Sequence, residues 1–283
     1  MAMFDFFSNW RRQRLLARFD PERRARWQQN LDALAILHGL TAGEQTRLME
    51  LGWCFLHDKR FTPVMGAKLT DDHCIDIALM AALPVLNLGL EAYGVFHELL
   101  IYPEEFVSDR HYLDDNGVEH QSVEELSGEA WEQGPVILSL SELGYSRQWS
   151  GFNLVIHELA HKLDMANGGI ADGLPALPTA LQKRWLKAFR AAFVNHCRQV
   201  EIAESLPEGS AQANLAWDRL WIDPYGAENE AEFFAVCVEA FFTDPIALNL
   251  AYPPLFQLLS EFLGQHPIER APQWQPLPHL CQN

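Results

Sequence analysis

The strongest constraint in this sequence is the segment His-Glu-Leu-Ala-His at residues 157–161, within a stretch whose apolar residues follow helical spacing. Residues four apart lie on one face of an α-helix, so the imidazoles of His157 and His161 can reach the same ion. Such a pair is half of a common tetrahedral zinc site, with Zn–N bonds of about 2.0–2.1 Å. Glu158 lies about 100° around the helix, where its carboxylate can accept a proton from a water at the metal.

The residues around this motif favour a buried helix over a surface one. The helical pattern runs from Phe152 to Met165 and stops at Asn167-Gly168-Gly169. Two histidines and a glutamate in such a helix would be costly to bury without a ligand, so the sequence favours a metal site. The apolar neighbours are Leu154, Val155, Ile156, Leu159, Ala160 and Leu163.

A third protein ligand must come from elsewhere in the chain. In one family pattern, His-Glu-x-x-His-x-x-Gly-x-x-His, the third ligand is a histidine just after the motif; here Asp164 and Asn167 stand at the glycine and histidine positions. A carboxylate from a later helix is therefore favoured. The apolar segment 228–242 is predicted to be that helix, and its carboxylates are Glu228, Glu230, Glu232 and Glu239.

Glu232 is the favoured third ligand because it directly precedes the most apolar part of this helix. Glu228 and Glu230 stand in the polar first turn, where the helix dipole favours acidic residues without any function. Glu239 follows Glu232 by seven residues on nearly the same face and is a candidate acceptor for a ligating imidazole. Glu228, Asp164 and Glu239 stay open as alternative ligands.

Two further residues are candidates for roles beside the metal. Asp164 could orient His161 instead of binding the ion. Tyr225 stands in the turn Asp223-Pro224-Tyr225-Gly226, seven residues before Glu232, from which its phenol could stabilise an oxyanion.

The rest of the chain predicts a mostly helical α+β fold with a small mixed sheet and two active-site helices. Strands are expected within residues 96–103 and 135–143, joined by a long loop or irregular hairpin. A polar loop is expected from the end of the 179–200 helix to about residue 224. The other predicted helices are two within residues 9–38 broken near Pro21, one after a capping box at Thr41 and Glu44, a buried one from residue 74 to Pro84, and an amphipathic one near 179–200.

The distribution of charge along the chain bears on what the protein can bind. A net charge of −17 argues against direct nucleic-acid binding, which needs a concentrated basic surface. Residues 1–30 are an exception, with seven arginines against three acidic residues; a solvated helix that pairs with the acidic body is favoured there over a basic surface for a partner or membrane.

The cysteine pattern and the hydropathy indicate a cytoplasmic protein. The five cysteines stand singly with no Cys-x-x-Cys pair, which fits a reducing compartment. No run of eighteen uninterrupted apolar residues occurs, and the start lacks the residue order of a secretory signal. We therefore expect a soluble, cytoplasmic protein without a membrane span.

Four segments of the chain resemble the Mlc titration factor A family, whose members are cytosolic zinc metallopeptidases with a core similar to lethal-factor-type toxins. The segments are GFNLVIHELAHKLDMANG, DPYGAENEAEFFAVCVEAFF, LPVLNLGLEAYGVFHELLIYP and QGPVILSLSEL. The resemblance implies a gluzincin-like site with one Zn²⁺ per chain. His157, His161 and Glu232 match the family's ligands, Glu158 its catalytic glutamate and Tyr225 its active-site tyrosine.

The helical pattern of the N-terminal part predicts a domain organisation, and the resemblance, which covers roughly residues 40–265, implies a function. A helical region, residues 1–80, would pack on a zincin-like catalytic domain, residues 81–283. The expected activity is that of a zinc-dependent aminopeptidase acting on a peptide substrate and linked to the regulation of glucose uptake through an Mlc-like transcription repressor. The alternative is a regulatory protein that sequesters the repressor without catalysis.

Overall fold

The computed structural model describes residues 10–104, 111–113, 119–121 and 134–271 and shows a mostly helical chain around a small parallel sheet. The strands are β1 (Arg60–Pro63), β2 (Glu98–Tyr102), β3 (His111–Leu113), β4 (Glu119–Gln121) and β5 (Val136–Ser139). The helices are α1 (residues 10–16), α2 (Pro21–Ala33), α3 (Ala42–Asp58), α4 (Asp71–Ala82), α5 (Leu140–Leu143), α6 (Leu154–Met165), α7 (Thr179–Ser205), α8 (Ala211–Asp218), α9 (Glu230–Thr243), α10 (Pro245–Ala251) and α11 (Pro253–Leu263).

The main sheet has the strand order β1-β2-β5, and both strand pairs are parallel. In its centre, Leu99 pairs with Phe61 on one side and with Val136 on the other. Parallel neighbours need a crossover connection, which α4 supplies between β1 and β2. The α+β class is confirmed, but the antiparallel pair β3-β4 forms a second sheet instead of joining one mixed sheet.

Local signals in the sequence set the helix boundaries of the N-terminal half. The helix pair expected around Pro21 is present as α1 and α2. Asp20 caps α2 by accepting a hydrogen bond from the N–H of Arg23. Thr41 and Glu44 form the expected capping box at the start of α3. Helix α4 ends two residues before Pro84, as a proline without a donor requires.

Most of the paired arginines of the N-terminal segment contact carboxylates of the acidic body, and Arg23 contacts Asp20 within the segment, which favours the solvated-helix interpretation of their charge. These contacts are exposed or half-buried, so each contributes little to stability. The pairs are Arg11–Asp58, Arg23–Asp20, Arg24–Glu50 and Arg26 with both Asp71 and Asp72. Residues 1–9 lie outside the described part of the chain.

One hydrophobic cluster extends from the N-terminal helices to α11 and encloses both helices that carry the predicted site. Phe233, Phe234, Phe241 and Phe242 of α9 are fully buried in it. The division of the chain at residue 80 stays a prediction. Across the described ranges, no helix is both long and apolar enough to cross a membrane. The described cysteines are free.

The polar loop expected as far as residue 224 is wrong in part. Helix α7 continues to Ser205, and residues Ala211–Asp218 form α8. The side chain of Ser210 caps α8 by accepting a hydrogen bond from the N–H of Ala213 at 3.0 Å, and Ala213 is buried. The helix is weakly amphipathic, so its hydrophobic pattern gave no clear signal.

The loop after the motif helix α6 is fixed against α7 through Gly173. The N–H of this residue donates to Asp164 at 2.8 Å, and its carbonyl accepts from the indole of Trp185 at 2.7 Å. Its φ of +76° is a left-handed conformation, and an added Cβ would overlap the ring of Phe189. Both features require glycine at this position.

We expect Gly173→Ala to lower the free energy of unfolding by about 2–5 kcal/mol, because left-handed strain adds to overpacking against Phe189. Gly209→Ala is the matched control, since Gly209 has φ +72° with nothing near the added Cβ. It should cost about 1 kcal/mol. Urea unfolding of both variants measures the difference, and equal losses would contradict the packing argument.

Candidate metal centre

The start of the motif helix α6 is fixed by a buried asparagine. The side-chain oxygen of Asn153 accepts a hydrogen bond from the N–H of Ile156 at 2.9 Å and so caps the helix. Its side-chain amide donates to the carbonyl of Ser146 at 2.6 Å. Because the cap determines where the helical turns begin, it directs His157 and His161 towards α9.

Three predicted ligands meet between α6 and α9. The Nε2 atoms of His157 and His161 lie 3.1 Å and 3.3 Å from the same carboxylate oxygen, Oε2 of Glu232. The donor atoms of a tetrahedral zinc site with bonds of about 2.0 Å lie roughly 3.3 Å apart, which matches both separations. The three side chains are 12%, 17% and 17% exposed, so the cluster is shielded but open to a ligand.

Glu239 supports this cluster from behind His157. One carboxylate oxygen lies 3.2 Å from Nδ1 of His157, and the other accepts a hydrogen bond from the backbone N–H of Asn153. A carboxylate on Nδ1 sets the tautomer of the imidazole and leaves Nε2 facing the cluster. The structure thus places Glu239 where the sequence predicted an acceptor for a ligating imidazole.

The carboxylates of Glu232 and Glu239 favour a positive charge at the imidazole of His157 between them. Burial lowers the pKa of His157, but the hydrogen bonds to Glu232 and Glu239 outweigh this effect and raise it to about 10. Burial raises the pKa of Glu232, but the hydrogen bonds from His157 and His161 outweigh it and hold that pKa at about 2. Two imidazole nitrogens and one carboxylate oxygen form a donor set that suits Zn²⁺.

Glu158 differs from these residues in its surroundings. Burial raises the pKa of its carboxyl, although His161 and His157 oppose the shift. A carboxylate with a raised pKa is a better proton acceptor and donor near neutral pH. Its position on the motif helix beside both histidines fits a general base better than a ligand.

Tyr225 lies on the 3-10 turn Pro224–Ala227, and its ring centroid is 6.1 Å from that of His157. The side chain is 49% exposed, so the phenol is accessible to a substrate. The backbone N–H of Tyr225 donates to the Asp223 carboxylate at 2.8 Å. The structure places this tyrosine beside His157, and its role as an active-site residue stays a prediction.

His196, a residue that the sequence analysis did not predict, holds this turn in place. Nε2 of the buried His196 lies 3.0 Å from the carbonyl oxygen of Asp223, and its Nδ1 lies 3.2 Å from the hydroxyl of Tyr252. Asn153 was missed in the same way. A capping asparagine before the motif was a usable signal, whereas His196 carries none in the sequence.

The other candidate ligands lie outside the cluster. Glu230 is exposed at the start of α9, and Glu228 is exposed two residues before it. Asp164 is fully buried, but its carboxylate accepts a hydrogen bond from Gly173, and burial raises its pKa to about 7. Within the described residues, His157, His161 and Glu232 form the group that could hold a metal ion. Their role as ligands stays a prediction.

Comparison with known proteins identifies close relatives. The profile of the family described as glucose-regulated metallo-peptidase M90 matches residues 7–263. The chain is 41% identical to Mlc titration factor A of Escherichia fergusonii over 244 residues, or 86% of this chain and 87% of that protein. It is 40% identical over the same coverage to that of Escherichia coli O9:H4 (strain HS). The relative of the same name in Enterobacter sp. (strain 638) is 38% identical over 250 residues, or 88% and 89% of the two chains.

We expect the protein to bind about one zinc ion per chain and Glu239→Gln to weaken that binding by roughly 10- to 100-fold. A glutamine cannot accept hydrogen bonds from both Asn153 and His157 through two oxygens, so the imidazole loses its orientation. Competition with a chromogenic chelator measures the affinity. Glu232→Gln should weaken binding further because it removes a charged ligand.

The matched control for this prediction is Glu228→Gln, which removes an exposed carboxylate from the same region of the chain. It should leave the zinc affinity within about twofold of the parent, since its carboxylate is outside the cluster. Unchanged affinity in Glu239→Gln would show that this residue does not support the metal.

Proposed function

The chain belongs to the glucose-regulated metallopeptidase M90 family, and from this premise we propose that it is a zinc-dependent peptidase that hydrolyses peptide bonds. The observation that carries the proposal is the cluster of His157, His161 and Glu232, with both Nε2 atoms within 3.3 Å of one carboxylate oxygen. We propose these three side chains as the ligands of one Zn²⁺. Glu158 stands beside them on the same helix.

The chemistry follows from the placement of the groups around this cluster. Zinc, when bound, supplies a Lewis acid and makes water a stronger acid. Glu158 accepts the proton of the attacking water and later delivers it to the leaving amine. The phenol of Tyr225 donates a hydrogen bond to the carbonyl oxygen as that atom gains negative charge.

The sheet offers a way to align an extended substrate. Among the described strands, β5 pairs with β2 alone, so its other edge is a candidate for addition of a peptide strand. Strand β5 leads through α5 towards α6, which carries His157. A substrate added to this edge would approach the cluster in an extended conformation.

We also propose a regulatory partner for the enzyme. The name of the relatives says that they titrate Mlc, and an Mlc-like transcription repressor is accordingly the partner proposed for this chain. Through it the protein would act in the cytoplasm on the regulation of glucose uptake. The aminopeptidase form of the reaction rests on the resemblance to the Mlc titration factor A family alone.

A second candidate function is sequestration of the repressor without catalysis. The word titration in the name of the relatives favours it, because it describes stoichiometric binding. Both activities can belong to one chain, and they differ in whether they depend on Glu158.

We expect Glu158→Gln to retain zinc while hydrolysis falls by about 10²- to 10⁴-fold, because the variant loses only the proton acceptor. Elemental analysis and turnover of a peptide mixture, followed by mass spectrometry, measure the two quantities. Turnover at the parent rate would exclude Glu158 as the general base.

The same variant separates the two functions when a purified Mlc-like repressor bound to its operator DNA is added. If sequestration is the function, Glu158→Gln still releases the repressor from DNA at the parent stoichiometry. If cleavage is the function, the variant fails and the parent leaves repressor fragments.

We expect Tyr225→Phe to lower kcat by about 10²- to 10³-fold with little change in KM, because the hydroxyl acts on the charge that develops in the transition state. Its zinc content should equal that of the parent, since the tyrosine is outside the proposed ligand set. A rise in KM at unchanged kcat would instead assign the residue to substrate binding.

A further inference from the structure

A cavity of about 330 Å³ opens beside the candidate metal centre, between the start of α6, the segment after α8 and the end of α9. Its volume is at the small end of the range of roughly 300–1,000 Å³ that is usual for ligand pockets. The aromatic and acidic residues that line it are Phe152, Trp217, Trp221, Asp223 and Asp244.

The cavity is lined by the residues just before Tyr225 and by a chain neighbour of Glu239. Pro224 adjoins Tyr225, and Ala240 adjoins Glu239, which contacts His157. The ring centroid of Tyr225 is 6.1 Å from that of His157, so the wall at Pro224 lies close to the cluster. A peptide whose scissile bond lies at the cluster therefore has a nearby residue within reach of the cavity.

Aromatic groups form one side of this cavity. Trp217 and Trp221 are 39% and 37% exposed, which is unusual for residues with such large apolar side chains. Aromatic faces favour apolar stems and attract cations such as guanidinium. The cavity therefore offers a surface for a long side chain with an apolar stem.

The charged groups of the cavity are acidic. Asp223 and Asp244 each use Oδ1 to cap the chain, accepting the N–H groups of Tyr225 and Ala247 at 2.8 Å and 3.1 Å. No arginine, lysine or histidine in the described ranges forms an ion pair with either carboxylate. Burial raises the pKa of the Asp244 carboxyl, so a cation beside it would relieve an unfavourable charge.

We propose that this cavity is a substrate subsite that accepts the basic side chain of a peptide residue close to the scissile bond. Trp217 and Trp221 contact the aliphatic stem and the face of the cation, while Asp223 and Asp244 pair with its charge. Acidic side chains are repelled, and neutral ones lose the ion pairs. The inference rests on the proposed peptidase function and names its substrate class as peptides with arginine or lysine near the cleaved bond.

The test uses alanine-based peptides in which one arginine, or its neutral analogue citrulline, occupies successive positions. Turnover by the zinc-loaded protein gives kcat/KM for each peptide, and fluorescence anisotropy with Glu158→Gln gives binding without cleavage. At one position, arginine should exceed citrulline by roughly 10- to 100-fold, as expected for hydrogen bonds to a charged group. An equal rate and affinity for the two residues at every position would overturn the proposal.

The variants Asp244→Asn and Asp223→Asn assign the preference to the cavity. Asparagine caps a helix or turn as well as aspartate does, so each substitution removes charge with little effect on the fold. Each should reduce the arginine-to-citrulline ratio several-fold towards one. A ratio at the parent value in both variants would also overturn the proposal.

Asp20→Asn is the matched control, because Asp20 caps α2 far along the chain from the cavity and should leave the ratio unchanged. Failure of the peptidase function gives a different result from failure of the subsite. If no peptide is cleaved but arginine peptides still bind preferentially and Asp244→Asn removes that preference, the result supports the subsite and contradicts the proposed hydrolysis. Cleavage without any arginine preference supports the hydrolysis and contradicts the subsite.

Discussion

The pairing of α6 with α9 is the contact on which the rest of the site depends. His157 lies between two carboxylates of α9, with Glu232 near its Nε2 and Glu239 near its Nδ1. These glutamates are seven residues apart, about two helical turns, so they share the face that meets α6. Any shift of one helix along the other would break all of these contacts at once.

This arrangement places ionisable groups where an apolar core would otherwise exclude them. A buried carboxylate or imidazole without a partner would cost several kcal/mol. His157, His161, Glu232 and Glu239 each have a partner on the facing helix. The neighbouring phenylalanines of α9 are fully buried, which contributes roughly 1.5–3 kcal/mol each. Hydrophobic packing therefore holds the helices at the separation that the polar cluster needs.

Sequence reasoning identified those residues of the candidate cluster that have a local signature in the sequence. The spacing of His157 and His161 and the apolar context of Glu232 are readable within a few residues, and Glu239 followed from helical periodicity. His196 was not predictable, because its contact with Asp223 joins residues 27 apart and leaves no trace in the pattern of either segment. Strand β1 was missed for a similar reason, since four residues at a sheet edge give little periodicity. The acidic cavity arises only when α6, α8 and α9 are brought together.

The two halves of the site are built on different kinds of structure. The proposed ligands project from two packed helices, whereas Tyr225 and Asp223 belong to a turn that His196 holds through one backbone carbonyl. Helices fix donor atoms to within a few tenths of an ångström, as a metal requires, while turns and loops tolerate substitution more readily. Residues that recognise substrate can therefore change without disturbing the metal centre. If the ligand set and the subsite are as proposed, the composition of the cavity decides which peptides this chain accepts, while His157, His161 and Glu232 hold the metal.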